Sequence, residues 1–226
     1  MYRKVNKHEQ TPFYHMKNLE SNLEKAYVQL GISQKHQGSI NTYLTLLKLK
    51  DRDTYEHSIR VGLLGIKFAK HSSLDQKALF YAGTLHDIGK ILINPEVLKK
   101  IGKYNKKDME EMKKHAEYGY KLLTGVHEFS AQIALRHHKY QQEKYPKKLK
   151  KSETKLSKGT KSEIDFYARI LSVIDFYDAI TTRDDHKFGK KKLNLEEIKK
   201  LLIKNHPDQE LLINKLYTGK IFRAEN

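Results

Sequence analysis

Residues 74–90, LDQKALFYAGTLHDIGK, place His86 and Asp87 side by side at the end of an apolar helical pattern, with Lys90 shortly after them. Hydrophobic side chains recur in this stretch with a period near 3.6 residues. They are Leu74, Ala78, Tyr81, Ala82 and Leu85. The spacing predicts an amphipathic helix that carries two potential metal ligands at its C-terminal end.

Signals for helix starts and stops recur along the chain. For the helix above, Ser73 is a candidate N-cap with Gln76 as its capping-box partner, and Gly89 is a natural stop. Similar signals mark further boundaries at Asn94 with Pro95, Asn105 with Asp108, Gly125, Asn194 with Glu197, and Pro207. We find no strand alternation and no internal repeat. The sequence therefore predicts an all-α fold, a helical bundle.

The composition limits the classes of protein that the chain can belong to. Its 226 residues suit one domain, or one domain with a small extension. The absence of cysteine excludes disulfides and thiolate metal sites, so any metal must be held by His, Asp or Glu. No apolar run approaches the roughly 18 residues of a membrane span, and the first residues lack the apolar core of a signal peptide. We expect a soluble, cytoplasmic protein.

The charge is strongly basic. Lys and Arg number 44 against 27 Asp and Glu, which gives a net charge of +17. This surplus favours an anionic partner such as a nucleotide, a nucleic acid or an anionic membrane surface. Lysines on solvated helix faces account for much of it. The charge alone indicates an anionic substrate and nothing more specific, and nucleic acid is possible but not favoured.

Two segments differ from the rest of the chain. Residues 1 to about 20 are polar and aperiodic, so we expect an N-terminal arm with a helix over residues 1–40 and a catalytic domain over 41–226. Residues 143–163 are rich in Lys and Ser and lack a core face. They predict a mobile loop between two helices.

Several histidines and aspartates share a pattern typical of a metal site. Asp53 lies one helical turn before His57, so both side chains face the same way. Asp175 lies on a helix face of small and apolar residues, where an unpaired carboxylate would be costly. Asp178, one turn later, can be explained by a hydrogen bond to a neighbouring helix end. The candidate ligands are Asp53, His57, His86, Asp87, His115, His137, His138 and Asp175.

Imidazole and carboxylate ligands suit Zn, Fe, Mn, Co or Ni. Pairs of metals about 3.5–4 Å apart serve the hydrolysis of phosphoesters. Such pairs need a bridging carboxylate, which Asp87 can supply while His86 binds one ion. Lys90, one turn further, can hold a phosphate oxygen as a point charge.

Five motifs occur together in the order HSIRV at 57–61, HDIGK at 86–90, HAEYG at 115–119, HH at 137–138 and ARILSVIDFYDAIT at 168–181. With them, residues 41–217 resemble the HD-GYP phosphodiesterases, a branch of the HD-domain metal-dependent phosphohydrolases. The resemblance implies an all-α domain that binds two or three iron or manganese ions and hydrolyses cyclic di-GMP. It implies that the eight candidates above bind metal, that Asp87 and Lys90 are catalytic, and that substrate contacts Lys90, Tyr145, Arg183 and Lys187.

The sequence departs from the family pattern near the substrate loop. Lys139 follows the histidine pair where the family has glutamate, and Lys144 stands at a glycine position. Arg183 and Lys187 are imperfect substitutes for a basic family segment. Two alternatives therefore stay open: an HD phosphohydrolase of another nucleotide or an RNA end, and a basic binding module without catalysis. No sensory domain is recognisable, so we expect a signalling hydrolase that acts alone or takes its input from a partner protein.

Overall fold

The computed structural model describes residues 18–149, 156–182, 193–219 and 221–222, and within these ranges it contains helices and no strand, which confirms the all-α prediction. Two short 3-10 turns, Ile88–Leu92 and Pro207–Gln209, join longer helices. The helices are α1 (Leu19–Gln29), α2 (Gln34–Lys50), α3 (Arg52–Ser72), α4 (Gln76–Leu85), α5 (Pro95–Leu98), α6 (Lys106–Leu123), α7 (Glu128–Arg136), α8 (Lys158–Thr182), α9 (Leu195–Asn205) and α10 (Glu210–Thr218).

Helices α3 and α4 lie at the centre of the bundle because both are apolar on two sides. On one side they pack with α1 and α2, where Ile59 and Phe80 are fully buried. On the other side they pack with α8, α9 and α10, where Val61 and Leu79 are fully buried. These two clusters of apolar side chains fix α3 and α4 between neighbours on either side. The bundle therefore holds His57 on α3 and His86 after α4 close to each other.

The close contact between α3 and α4 requires glycine. A Cβ atom added at Gly83 would lie 2.7 Å from the Cα atom of Gly62, and one added at Gly65 would lie 2.9 Å from the carbonyl oxygen of Leu79. Real Cβ contacts are not that short, so any larger residue would push the helices apart. The spacing of the two helices is thus set by residues without side chains.

Gly89 has a different role from the one that the sequence predicted. The helix ends earlier, at Leu85, and Gly89 lies within the 3-10 turn that follows. A Cβ atom at this position would lie 1.9 Å from the carbonyl oxygen of His115 and 2.4 Å from the amide nitrogen of Gly119. Glycine is required because the backbone after Asp87 lies directly against α6, which brings Asp87 to His115.

Replacing Gly89 with alanine is expected to destabilise the protein by about 1–3 kcal/mol, the usual cost of forcing atoms into a packed interior. The free energy of unfolding in urea measures this loss. Gly38→Ala is a matched control, because nothing lies within 4 Å of an added Cβ in α2. There, alanine should be neutral or stabilising by up to about 1 kcal/mol. Equal stabilities for the two variants would contradict the packing argument.

Other boundaries also differ from expectation. Ser73 ends α3 in the left-handed conformation, at φ 54°, and Asp75 caps α4 instead by accepting a hydrogen bond from the amide of Ala78. The predicted loop is shorter, because α8 begins at Lys158. Residue 40, the expected end of the N-terminal arm, lies in α2, and the division into an arm and a catalytic domain stays a prediction. The caps at Asn94, Asn105 and Asn194 are confirmed.

No helix in the described part of the chain combines the length and the apolar character that crossing a membrane requires.

Candidate metal centre

Five elements of the bundle converge on one buried cluster of histidines and aspartates. Seven of the eight candidate ligands lie in it: His57, His86, Asp87, His115, His137, His138 and Asp175. Among the described residues, they form three groups whose ligand atoms lie within 4.8 Å of one another. The groups are His57–His86–Asp87, His115–His137–His138 and His86–His137–Asp175. The ligands come from α3, α6 and α8 and from the residues that follow α4 and α7.

Three of the histidines are oriented by their own helices. In each, the Nδ1 atom lies 2.7 Å from the backbone carbonyl three residues earlier, so Nδ1 carries the proton and donates it. In the neutral imidazole the Nε2 atom then keeps its lone pair, directed into the cluster as a metal ligand requires. The pairs are His86 with Gly83, His115 with Met112, and His137 with Ala134.

The other two histidines are oriented by side chains. The Nδ1 atom of His138 lies 2.8 Å from Oε1 of Gln141. The Nδ1 atom of His57 lies 2.8 Å from Oδ2 of Asp178. Both carboxylate oxygens of Asp178 also accept hydrogen bonds of 2.9–3.1 Å from the guanidinium of Arg60. The prediction that Asp178 bonds to a helix end is therefore wrong. The partners of Asp178 are His57 and Arg60.

Sequence reasoning did not assign Arg60, Asp178 or Gln141 to the site. A helical signal existed for two of them. Arg60 lies three residues after His57 and Asp178 three residues after Asp175, so each shares a helix face with a ligand. Gln141 lies beyond the end of α7, and its position carries no periodic signal.

Asp87 lies between the two halves of the cluster. Its Oδ1 atom is 3.4 Å from Nε2 of His115 and 4.0 Å from Nε2 of His137. Its Oδ2 atom is 3.6 Å from Nε2 of His57 and 3.4 Å from Nε2 of His86. One carboxylate oxygen thus faces each pair of histidines. This is the arrangement that a carboxylate bridging two metal ions requires.

Asp175 reaches the cluster from α8 and confirms that the carboxylate on this apolar face has partners. Its Oδ1 atom lies 3.0 Å from Nε2 of His57 and 3.7 Å from Nε2 of His86. These contacts hold the pKa of Asp175 well below its usual value although burial raises it. Asp175 is therefore ionised and supplies a second negative charge on the His57 side of the cluster.

Most of the histidines in the cluster are neutral. Burial, reinforced by nearby positive groups, lowers the pKa of His115 to about 3 and that of His138 to about 4, and it lowers the pKa of His137 well below its usual value. His86 differs, because Asp87 and Asp175 outweigh its burial and raise its pKa to about 10. A metal ion would replace that proton between the two carboxylates.

The donor set fits divalent metal ions. The Nε2 atoms of His57 and His86 are buried beside the two carboxylates without a well-aligned hydrogen bond, which is costly for a polar atom unless it binds something. Five imidazoles with two carboxylates, and no thiolate, suit first-row metals such as iron, manganese or zinc.

Two further candidates border the cluster. Lys90 is nearly buried in the turn after α4, and its Nζ atom contacts Oδ2 of Asp87. Tyr145 stacks on the ring of His138, with ring centroids 4.3 Å apart and an angle of 23° between the planes. Both predicted substrate contacts therefore lie at the edge of the metal ligands.

The remaining candidates do not join the cluster in the structure. Asp53 lies exposed in the first turn of α3 and belongs to none of the three groups, so the structure does not bring it to the other ligands. Arg183 and Lys187 lie outside the described residues.

Residues 54–180, more than half of the chain, match the model of the HD domain. The chain belongs to the HD domain family. A cyclic di-GMP phosphodiesterase of Thermotoga maritima is 30% identical over 187 residues, 79% of this chain and 45% of that protein. A 3'3'-cGAMP-specific phosphodiesterase 2 of Vibrio cholerae is 24% identical over 181 residues, 76% and 33% of the two chains. The HD-domain chain therefore spans less than half the length of these relatives.

The fold is also that of a solved HD domain. The HD domain of the phosphodiesterase PgpH of L. monocytogenes superimposes with a TM-score of 0.53 at 20% sequence identity, covering 80% of this chain and 93% of that one. At this identity the likeness concerns the arrangement of the helices. It agrees with the all-α HD bundle that the sequence predicts.

Replacing Asp178 with asparagine is expected to weaken metal binding by about 10–100-fold, as loss of a partner that orients a ligating histidine typically does. The amide cannot accept from His57 and Arg60 as the carboxylate does. Titration of the apo-protein with Mn²⁺ measures the dissociation constant. Asp208→Asn is the control, since Asp208 forms an exposed ion pair with Arg169. An unchanged constant in Asp178→Asn would contradict the orienting role.

Proposed function

We propose that this HD-domain chain is a metal-dependent phosphodiesterase that hydrolyses a cyclic dinucleotide. The substrate that we favour is cyclic di-GMP. One observation carries the proposal. Asp87 directs one carboxylate oxygen to His115 and His137 and the other to His57 and His86. A bridging carboxylate between two sets of imidazoles is the arrangement with which two-metal sites cleave phosphoesters.

The names of the relatives support the substrate class. The relative from T. maritima is named for cyclic di-GMP and the one from V. cholerae for 3'3'-cGAMP. Both substrates are cyclic dinucleotides and differ in one base, so the relatives favour the class more strongly than either member. The positive net charge of +17 suits an anionic substrate of this kind.

We propose two or three divalent ions, iron or manganese, as the cofactors. His57, His86, Asp87 and Asp175 would hold one ion, while His115, His137 and His138 would share Asp87 to hold another. The third group, His86, His137 and Asp175, shares residues with both of these sets. When bound, such ions polarise a phosphoryl oxygen and lower the pKa of water so that it can attack at neutral pH.

The residues of the chain orient and enclose the reacting groups. Asp87 and Asp175 keep the centre negatively charged, which favours cations there. Lys90 contacts Asp87 and places a positive charge at the edge of the centre, within reach of a phosphate oxygen. Tyr145 covers the ring of His138 and limits the access of solvent. The chain thus supplies a buried centre with a cation at its entrance.

Hydrolysis by protein purified without oxygen and supplied with Mn²⁺ or Fe²⁺ tests the proposal. Cyclic di-GMP, 3'3'-cGAMP and cyclic di-AMP are incubated in parallel, products are separated by chromatography, and the metal is counted in the same sample. We expect a linear dinucleotide or mononucleotide from cyclic di-GMP. If fully metal-loaded protein leaves all three intact, the proposed substrate class is wrong.

One observation favours a second candidate, hydrolysis of another nucleotide. Lys139, at the position where the family has glutamate, pairs with Asp165 at 3.5 Å and lies over the ring of Tyr140. The centre therefore receives no carboxylate from this position. Extending the panel to mononucleotides, stringent-response nucleotides and RNA ends tests this candidate. Cleavage of one of these with the cyclic dinucleotides intact would decide for it.

A further inference from the structure

An open groove lies beside the metal centre and is lined by Lys113, Gln142, Glu143, Lys144 and Lys147. We call it the lysine groove; its volume is about 500 Å³. Lys113 belongs to α6, the helix that carries His115, and the other four residues follow the histidine pair. The groove therefore combines the two chain segments that supply the ligands of one half of the centre.

A single aromatic ring separates the lysine groove from the histidines. The ammonium of Lys113 lies 5.5 Å from the centre of the Tyr145 ring. That ring stacks on His138 and meets His115 edge-on, with ring centroids 6.0 Å apart. A molecule bound at the metal centre that extends past Tyr145 would enter the groove.

The segment that forms the lysine groove is attached to the bundle at several points. The amide of Gln142 donates a hydrogen bond of 2.8 Å to the carbonyl of Asn205. The amide of Tyr145 donates one of 3.4 Å to the carbonyl of His138. Gln141 accepts from His138 at 2.8 Å. These bonds position the backbone of the groove relative to the metal ligands, as a binding surface requires.

The groove is basic. Lys113, Lys144 and Lys147 line it together with one carboxylate, Glu143, which leaves a net charge of +2. No ion pair joins any of the three lysines to a carboxylate among the residues that the structure describes. Lysine clusters without acidic partners repel one another unless an anion lies between them. The groove therefore suits an anion.

We propose that the lysine groove binds the second phosphate of the substrate, the one that is not cleaved. This inference rests on the proposed function, since a cyclic dinucleotide carries two phosphates and only one can lie at the metal centre at a time. Lys144 stands where the family resemblance has glycine, so the groove carries a positive charge that the family pattern lacks. It would hold substrates with two separated phosphates in preference to those with one.

The steady-state kinetics of a triple variant test the proposal. Lys113, Lys144 and Lys147 are replaced with alanine in the full chain, and hydrolysis of cyclic di-GMP is measured with Mn²⁺. We expect KM to rise about tenfold, because each exposed ammonium–phosphate contact contributes a factor of roughly two. The loss should fall mainly on KM, because the second phosphate carries the same charge in the ground and transition states. The KM of the wild type should also rise more steeply with salt than that of the variant.

A second triple variant, with Lys25, Lys35 and Lys77 replaced by alanine, is the control. It makes the same change in net charge on exposed faces of other helices, and its KM should stay within twofold of the wild type. Equal KM values for the groove variant and this control would overturn the proposed role of the lysine groove in phosphate binding. The proposed function of the chain would be unaffected. No turnover of cyclic dinucleotides by the wild type would overturn the proposed function and the groove's assignment with it.

Discussion

Replacing Asp87 with asparagine is expected to lower the turnover of the substrate by at least about a thousandfold, equivalent to about 4 kcal/mol of transition-state stabilisation. Asparagine keeps the shape of the side chain but removes the charge that faces His57 and His86 on one side and His115 and His137 on the other. The centre then loses the one carboxylate that its two halves share. Elemental analysis of the purified variant should show less metal per chain than the wild type.

Asp208→Asn again supplies the matched control, because it removes a carboxylate from an exposed ion pair that contains no candidate metal ligand. Circular dichroism of both variants shows whether the helices are retained. If Asp87→Asn hydrolysed the substrate at the rate of the wild type, the bridging role of Asp87 and the proposed mechanism would both be wrong.

Removing metal is expected to lower the stability of the protein substantially. Ligands that bind only the folded state stabilise it by about 4 kcal/mol when present at a thousand times their dissociation constant. The buried centre gives a structural reason, since the Nε2 atoms of His57 and His86 lie beside two carboxylates without a well-aligned hydrogen bond. Thermal unfolding with Mn²⁺ and after chelation measures the difference.

The metal-dependent increase in Tm should shrink markedly in Asp87→Asn and persist in Asp208→Asn. A Tm that does not change when Mn²⁺ is added to the chelated wild type would show that the cluster is held together without metal. The histidines and aspartates would then be a polar core, and the hydrolase proposal would lose its chemical basis.

The fold was predictable because it depends on local spacing, and the ligands because five short motifs together resemble a known family. Apolar residues at helical intervals indicated the bundle, and His57, His86 and Asp175 each lie on a helix face or at a helix end that spacing identifies. The caps at Asn105 and Asn194 were predictable for the same reason, since a capping box involves residues three apart.

The features that escaped prediction depend on contacts between distant segments. Gly89 was interpreted as a helix stop, whereas its lack of a side chain lets the backbone approach His115, 26 positions further along. Asp178 contacts His57 across 121 residues, and no periodicity reports such a pairing. Asp53 shows the reverse error, because a shared helix face with His57 did not bring its side chain into the cluster.

Asp87 has a consequence for how the centre fills. Because one carboxylate faces both halves, two ions bound there would not bind independently. An ion held by either half would neutralise charge on Asp87 and so change the affinity of the other half. By thermodynamic linkage the effect would be reciprocal, whichever half is occupied first. The binding curve of the centre would then report positive or negative coupling through a single side chain.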